Sequence, residues 1–203
     1  FILEKKLNLD KEISVVLTRS SGGLSEIFPV IENQHEAGIL DLSIIPARVS
    51  ENFKKKAVSY ALKIAKNLNY VGTIAVEFFI SDGQLYVNEI APRPHNSGHF
   101  TLDACNVSQF DLQVLCLVDK SLIEINLEKN AVMLNLLGDL WLKNGEPETP
   151  NFEEIEGPGI NIHLYGKNQP RSGRKMGHIT VVGEKLEDLI NKAEEIRLKL
   201  LEM

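Results

Sequence analysis

The sequence predicts an α+β fold: an antiparallel sheet with flanking helices over residues 1 to 130, then a small β-rich unit, residues 131 to 203, closed by one helix. Three observations predict it. Runs of β-branched and aromatic residues, punctuated by short Gly, Ser or Asp turns, recur through residue 91 as hairpins do. Two stretches, 51 to 68 and 186 to 201, carry apolar residues at helical spacing. From Ala131 onward, short strand-like runs alternate with Gly- and Pro-rich loops.

Residues 1 to 9 open in mid-structure, with no start signal of their own. Residues 12 to 19 and 24 to 31 read as strands joined by the turn Ser20-Ser21-Gly22-Gly23. Residues 32 to 38 read as a polar loop whose single histidine, His35, would ordinarily be solvated. A short apolar strand over 39 to 46 ends at a proline. Ser50 then caps the helix over 51 to 68, with Phe53, Ala57, Tyr60, Ala61, Ile64, Ala65 and Leu68 on one stripe and lysines on the solvated faces. Residues 72 to 80 and 85 to 91 form a hairpin around Asp82-Gly83. Ser108-Gln109-Phe110-Asp111 is a capping box starting a helix through Leu117. Strands come next at 131 to 137, 159 to 165 and 177 to 182, and the last helix carries Leu186, Leu189, Ile190, Ala193, Ile196 and Leu200 on one face.

Composition narrows the function. The formal net charge of −6 argues against a nucleic-acid footprint, which would be strongly basic. Nowhere does an apolar run approach the ~20 residues that span a bilayer, so no membrane partner is expected. Cys105 and Cys116 lack metal-ligand spacing and read as buried, reduced thiols, which suits a cytoplasmic protein.

The chemistry concentrates between Val71 and Ser108. With a two-residue Asp82-Gly83 loop, Glu77 would oppose Asn88 and Glu89 would point to the other face. A three-residue loop, Asp82-Gly83-Gln84, puts Glu77 across from Glu89, and this is the register expected. Facing carboxylates roughly 5 Å apart repel, and something must neutralise them. Magnesium does so economically, since it is held by one or two carboxylates plus substrate phosphates. The bland reading puts one Glu in solvent and the other on a Lys or Arg.

The segment after the hairpin favours magnesium. Pro92-Arg93-Pro94-His95-Asn96-Ser97-Gly98-His99 cannot continue the ladder, because prolines fix φ and remove donors. The loop is therefore stiff, and it carries a guanidinium, an imidazole and an amide within four residues, a set suited to an oxyanion beside a metal.

Val76-Glu77-Phe78-Phe79, the run from Asn88 to His99, and Ser108-Gln109-Phe110 together resemble the ATP-grasp family, and within it the 5-(carboxyamino)imidazole ribonucleotide synthases, the ATPase subunits of phosphoribosylaminoimidazole carboxylase. The formate-dependent glycinamide ribonucleotide transformylases are similar in the Pro-Arg-Pro-His loop but usually continue with Asp-Thr-Gly, so Asn96-Ser97-Gly98-His99 sides with the synthases. A transformylase-like enzyme and a non-catalytic nucleotide-binding or dimerisation module are the alternatives. The resemblance spans essentially the whole chain and implies the C-terminal part of such an enzyme, without its N-terminal domain and lid; catalysis by this chain alone is not expected.

The resemblance also implies roles. The segment with Glu4, Lys5, Lys6 and Leu7 would bind the adenine edge through its backbone, Glu12 the ribose hydroxyls, and His35 and Asn88 would join the ATP pocket. Glu77 and Glu89 would hold magnesium, while Arg93, His95 and Asn96 would orient the anion made from ATP and bicarbonate. Lys167, Arg174 and Lys175, in a loop that departs from the family at Ser172, would dock the phosphate of aminoimidazole ribonucleotide. A homodimer is implied as well.

Overall fold

The computed structural model describes residues 6–143 and 146–202. Its strands are β1 (Lys11–Arg19), β2 (Ser25–Ile27), β3 (Ile31–Glu36), β4 (Ile39–Ile45), β5 (Gly72–Ser81), β6 (Gln84–Ala91), β7 (Asn130–Leu137), β8 (Leu142–Lys143), β9 (Glu146–Pro147), β10 (Ile160–Leu164) and β11 (Lys175–Gly183). The helices are α1 (Glu51–Asn67), α2 (Thr101–Ala104), α3 (Gln109–Leu117) and α4 (Leu186–Glu202). Nine strands make one antiparallel sheet in the order β10-β11-β7-β4-β3-β1-β5-β6, with β2 also on β1. Because β7 pairs with β4, the sheet runs unbroken from the first 130 residues into the rest.

Alternation along the strands sorts the core into two faces. Ile13, Val15 and Leu17 point to the side where α1 packs Ala57, Ala61 and Ala65, small residues that let helix and sheet approach closely. Ile44 lies in the same row through the pairs Ile13↔Glu32 and Glu32↔Ile44, so α4 covers this face too, over Leu42, Ile44, Val132 and Leu134. The opposite face carries Val16, Ile31, Ala75 and Met133 under Phe100, Ala104 and Leu112 from α2 and α3. Helices α1 and α3 start as expected: Ser50 accepts from the Phe53 amide, and Ser108 with Asp111 forms the reciprocal capping box on α3.

Two expectations for the N-terminal strands need correction. Residues 24 to 31 are not one strand: β2 stops at Ile27 and β3 begins at Ile31, with Pro29, which has no amide donor, between them. Residues 32 to 38 are not a loop either. They continue β3 to Glu36 and turn only at Ala37-Gly38, both with positive φ. Polar side chains fit this central strand because Glu32, Asn33 and His35 each meet a polar or charged partner across a neighbouring strand. Among the described residues, no helix is long and apolar enough to cross a membrane.

Candidate functional site

The hairpin of β5 and β6 builds one wall. Ser81 pairs with Gln84, and Asp82 and Gly83 have φ of 49° and 68°, so the turn has two residues and not the expected three. The acids still converge, because the ladder shifts register between Val76 and Phe78. Val76 pairs with Ile90 and Phe78 with Val87, which leaves both Asn88 and Glu89 opposite Glu77. On its other side Glu77 faces Ser14 of β1. Burial raises the Glu77 carboxyl above its usual range, and the nearby Glu89 and Glu12 carboxylates push the same way, against His35 and Lys175.

The loop after β6 folds back over this wall. Arg93 is exposed and its guanidinium bonds the Pro94 carbonyl at 3.0 Å. His95 is buried, with Nε2 3.6 Å from Glu77 Oε1. Burial, followed by the Arg93 and Lys175 charges, lowers its pKa to about 4, so the ring is neutral at pH 7. Asn96 is also buried, and neither polar atom of its carboxamide has a protein partner. A buried carboxamide left without a protein partner is costly, and a polar group bound there would satisfy it.

Lys175, at the start of β11, brings the last third of the chain to this point. It is half-buried and lies within electrostatic reach of Arg93, Glu77 and Glu89; burial and the Arg93 charge lower its pKa. Lys167 and Arg174 are tied to their own loop: the Lys167 ammonium bonds the Lys175 carbonyl and sits 5.1 Å over the Tyr165 ring, and Arg174 donates to the Gln169 carbonyl.

Two open grooves flank the acids. Lys6, Leu7 and Asn88, with Leu9, Phe79, Tyr86 and Val87, line one of about 430 Å³. Glu12 and His35 line the other, of about 320 Å³, with Lys11, Glu32 and Arg48. His35 Nδ1 lies 2.8 Å from Glu12 Oε2, off the line of a straight hydrogen bond, and the Glu12 carboxylate raises the His35 pKa. Glu4 and Lys5 lie outside the described residues.

Glu32 is 3 % exposed and anchors the second groove. Burial pushes its pKa up, but hydrogen bonds from Arg48 and Lys11 outweigh that, and the net shift is downward. Its contribution is present above the unfolded carboxylate value and is lost as pH falls through the lower folded one. Arg48→Gln should therefore cost about 2 kcal/mol at pH 7. Thermal melts at stepped pH should show the gap to wild type closing as the carboxylate protonates.

Several residues that hold the site carry no sequence signal. Gln109, fully buried, accepts from the His95 amide at 2.8 Å and donates to the His95 carbonyl at 2.8 Å, clamping the loop to the start of α3. The capping box announced the helix, but nothing announced that this carboxamide turns inward. Asp103, His163 and His178 gather close enough to suggest a metal. The rings argue otherwise: His163 and His178 stack at 4.5 Å and 15°, and His178 and His99 at 4.7 Å and 26°. Parallel rings send their lone pairs along parallel planes and not to one point. With His163 Nε2 2.9 Å from Asp103, the cluster is a clasp joining α2 to β10 and β11.

Comparison with known proteins places the chain in a family. The ATP-grasp domain family matches residues 1–110, and the phosphoribosylaminoimidazole carboxylase C-terminal domain matches residues 131–192. The N5-carboxyaminoimidazole ribonucleotide synthase of Staphylococcus saprophyticus is 43% identical over 99% of this chain and 52% of its own length. The Staphylococcus aureus N5-carboxyaminoimidazole synthetase, solved with ADP, superposes with a TM-score of 0.84 at 42% identity, over 97% of this chain and 50% of that one. The Aspergillus clavatus synthase, solved with ADP and 5-aminoimidazole ribonucleotide, gives 0.85 at 28% identity, over 97% and 53%. The chain thus spans about half the length of the curated relatives it matches. With more than half of its residues matched by one family, and the facing acids of β5 and β6 inside that match, the chain belongs to the ATP-grasp family.

Proposed function

We propose that this chain supplies the metal, anion and acceptor sites of an ATP- and bicarbonate-dependent ligase that carboxylates the exocyclic amine of aminoimidazole ribonucleotide in purine synthesis. The observation that carries the reading is the convergence on one sheet face of Glu77, Asn88 and Glu89 with the buried His95 and Asn96 and the half-buried Lys175. The synthases that align along the whole chain support the choice of substrate.

The donor set suits magnesium. Two carboxylates on facing strands are hard oxygen ligands, and burial and mutual repulsion leave Glu77 in want of a counter-charge. Glu77 and Glu89 would hold the ion. When bound, it supplies charge neutralisation on the ATP phosphates. Lys6, Leu7 and Asn88 on one side, and Glu12 and His35 on the other, bind and orient the nucleotide in the two grooves.

In the first step a bicarbonate oxygen forms a bond to the γ-phosphorus as the bond to ADP breaks, giving carboxyphosphate. Arg93, neutral His95 and Asn96 donate to that anion and hold it for attack. In the second, the substrate amine bonds to the carboxyl carbon and phosphate leaves. Lys175, with Lys167 and Arg174, docks the ribose phosphate so that the amine lies in line.

The test is ADP release by the enzyme containing this chain, which should need bicarbonate and aminoimidazole ribonucleotide together. Release with formate and glycinamide ribonucleotide instead would overturn the reading in favour of a transformylase. The 203-residue chain, titrated calorimetrically with ATP and magnesium, should bind only weakly, with Kd on the order of 1 mM, because half a site leaves most of the ordering cost uncompensated.

A further inference from the structure

Beneath the site, a line of polar side chains crosses four secondary-structure elements with no solvent exposure to explain it. Ser43 of β4, Asn33 of β3, Ser14 of β1 and Ser97 after β6 are all buried, Ser14, Ser43 and Ser97 completely. Ser43 Oγ donates to Asn33 Oδ1 at 2.9 Å, and Asn33 Nδ2 donates to Ser14 Oγ at 2.9 Å. Ser14 Oγ donates to Ser97 Oγ at 2.9 Å, and Ser97 Oγ lies 3.0 Å from His95 Nδ1.

The order of donors has one consistent solution. Asn33 is the only member with a fixed polarity, a carbonyl oxygen at one end and an NH₂ at the other. Its NH₂ donates to Ser14 Oγ, Ser14 Oγ donates to Ser97 Oγ, and the Ser97 proton is left for His95 Nδ1. The Ser97 backbone amide also points at Nδ1, from 3.4 Å, and an amide N–H can only donate. Two donors on Nδ1 leave its ring proton nowhere to sit but Nε2. That nitrogen is the one facing Glu77.

We propose that the buried chain Ser43, Asn33, Ser14, Ser97 fixes His95 as the Nε2–H tautomer, so that the ring presents a hydrogen-bond donor, and not a base, to an oxyanion held beside Glu77, with Asn33 as the positioning residue that sets the direction. The oxyanion role rests on the proposed ligase activity; the tautomer rests on the hydrogen bonds alone. The work of the loop is thereby divided in a specific way. Arg93 supplies charge from an exposed position, whereas His95 supplies a directed donor whose orientation is set through three strands by buried residues.

Nitrogen-15 NMR of the 203-residue chain tests it, with the His95 resonances assigned through His95→Gln. Wild type should show a protonated Nε2 and an unprotonated Nδ1 at His95, and the opposite pattern overturns the proposal. Asn33→Asp replaces the one fixed donor of the chain with a second acceptor, so Ser14 turns round, Ser97 turns with it, and Nδ1–H should appear beside the Nε2–H form. An unchanged tautomer in a folded Asn33→Asp chain also overturns it. Should that variant fail to fold, Ser14→Ala cuts the chain with less disturbance: a mixture of tautomers is expected, and a pure Nε2–H signal sinks the role of the chain. Inorganic phosphate is the ligand probe, and either variant should weaken it about tenfold, the loss of one hydrogen bond to an anion. A wild-type chain with the Nε2–H tautomer and no phosphate-induced shift at His95 would overturn the oxyanion role and with it the functional reading, while the tautomer assignment stands.

Discussion

Glu89→Gln in the enzyme containing this chain should reduce bicarbonate-dependent ADP release by at least about a thousandfold, about 4 kcal/mol of transition-state stabilisation, and Glu77→Gln should do the same. Neither should lower the melting temperature. Glu77 is desolvated and faces a second carboxylate, so its folded pKa lies above the unfolded one. A raised carboxyl pKa means that the folded state binds the proton more tightly. Stability is then greatest at low pH and falls as pH rises through the window between the two values. At pH 7 the ionised side chain is a net cost, and the neutral, isosteric Gln removes it. Loss of activity with an unchanged or higher melting temperature is the expected pattern of an acid placed for a ligand at the expense of the fold. A variant with wild-type turnover would remove the metal role; one that melts early would make the acid a structural member of the sheet instead.

Legibility tracked the reach of each interaction. The helices were readable because capping and helical periodicity are local: Ser50 at α1, and Ser108 with Asp111 at α3, act within a single turn. The hairpin was half readable. Asp82-Gly83 fixed its place, but the bulge opposite Glu77 shows only in the pairing of β5 with β6, and no residue spacing encodes it. Residues 32 to 36 misled for a related reason. Polarity signals a loop only when water is the partner, and Glu32 has Arg48 and Lys11, Asn33 has Ser14 and Ser43, and His35 has Glu12. These partners lie on other strands or beyond the next turn, where a window along the chain cannot see them. The same holds for Gln109, whose contacts with His95 span 14 positions. By contrast Glu77, Glu89, His95 and Asn96 stood out because a stiff Pro-rich exit from a strand is unusual by itself.

Gly177→Ala should damage the fold at the join of the last two strands. Gly177 sits in β11 opposite Leu164 of β10, just after a shift in the ladder between Lys175 and Gly177. A Cβ there would run into the His163 carbonyl oxygen and press on Leu164 Cα at 3.3 Å. The obstacle is backbone, so no rotamer change relieves it. β10 is the outermost strand at its end of the sheet, with no further strand beyond it among the described residues, and it must swing away from β11. Three things go together: the ladder pairs around His163, the stack of His163 on His178, and the contact of His163 with Asp103 that ties these strands to α2. Overpacking against backbone costs about 3 kcal/mol, which for a chain of this size is a melting temperature lower by about 6 to 12 °C. Gly166→Ala in the adjoining loop is the control. Its φ of +65° is unfavourable for alanine, but no atom lies within 4 Å of the added carbon, so only the conformational strain of about 1 kcal/mol should be seen. Equal melting temperatures for the two variants would mean that backbone strain and not the β10–β11 approach sets the cost. In that case Lys175, which β11 carries toward the acids, would not depend on the close fit of the last two strands.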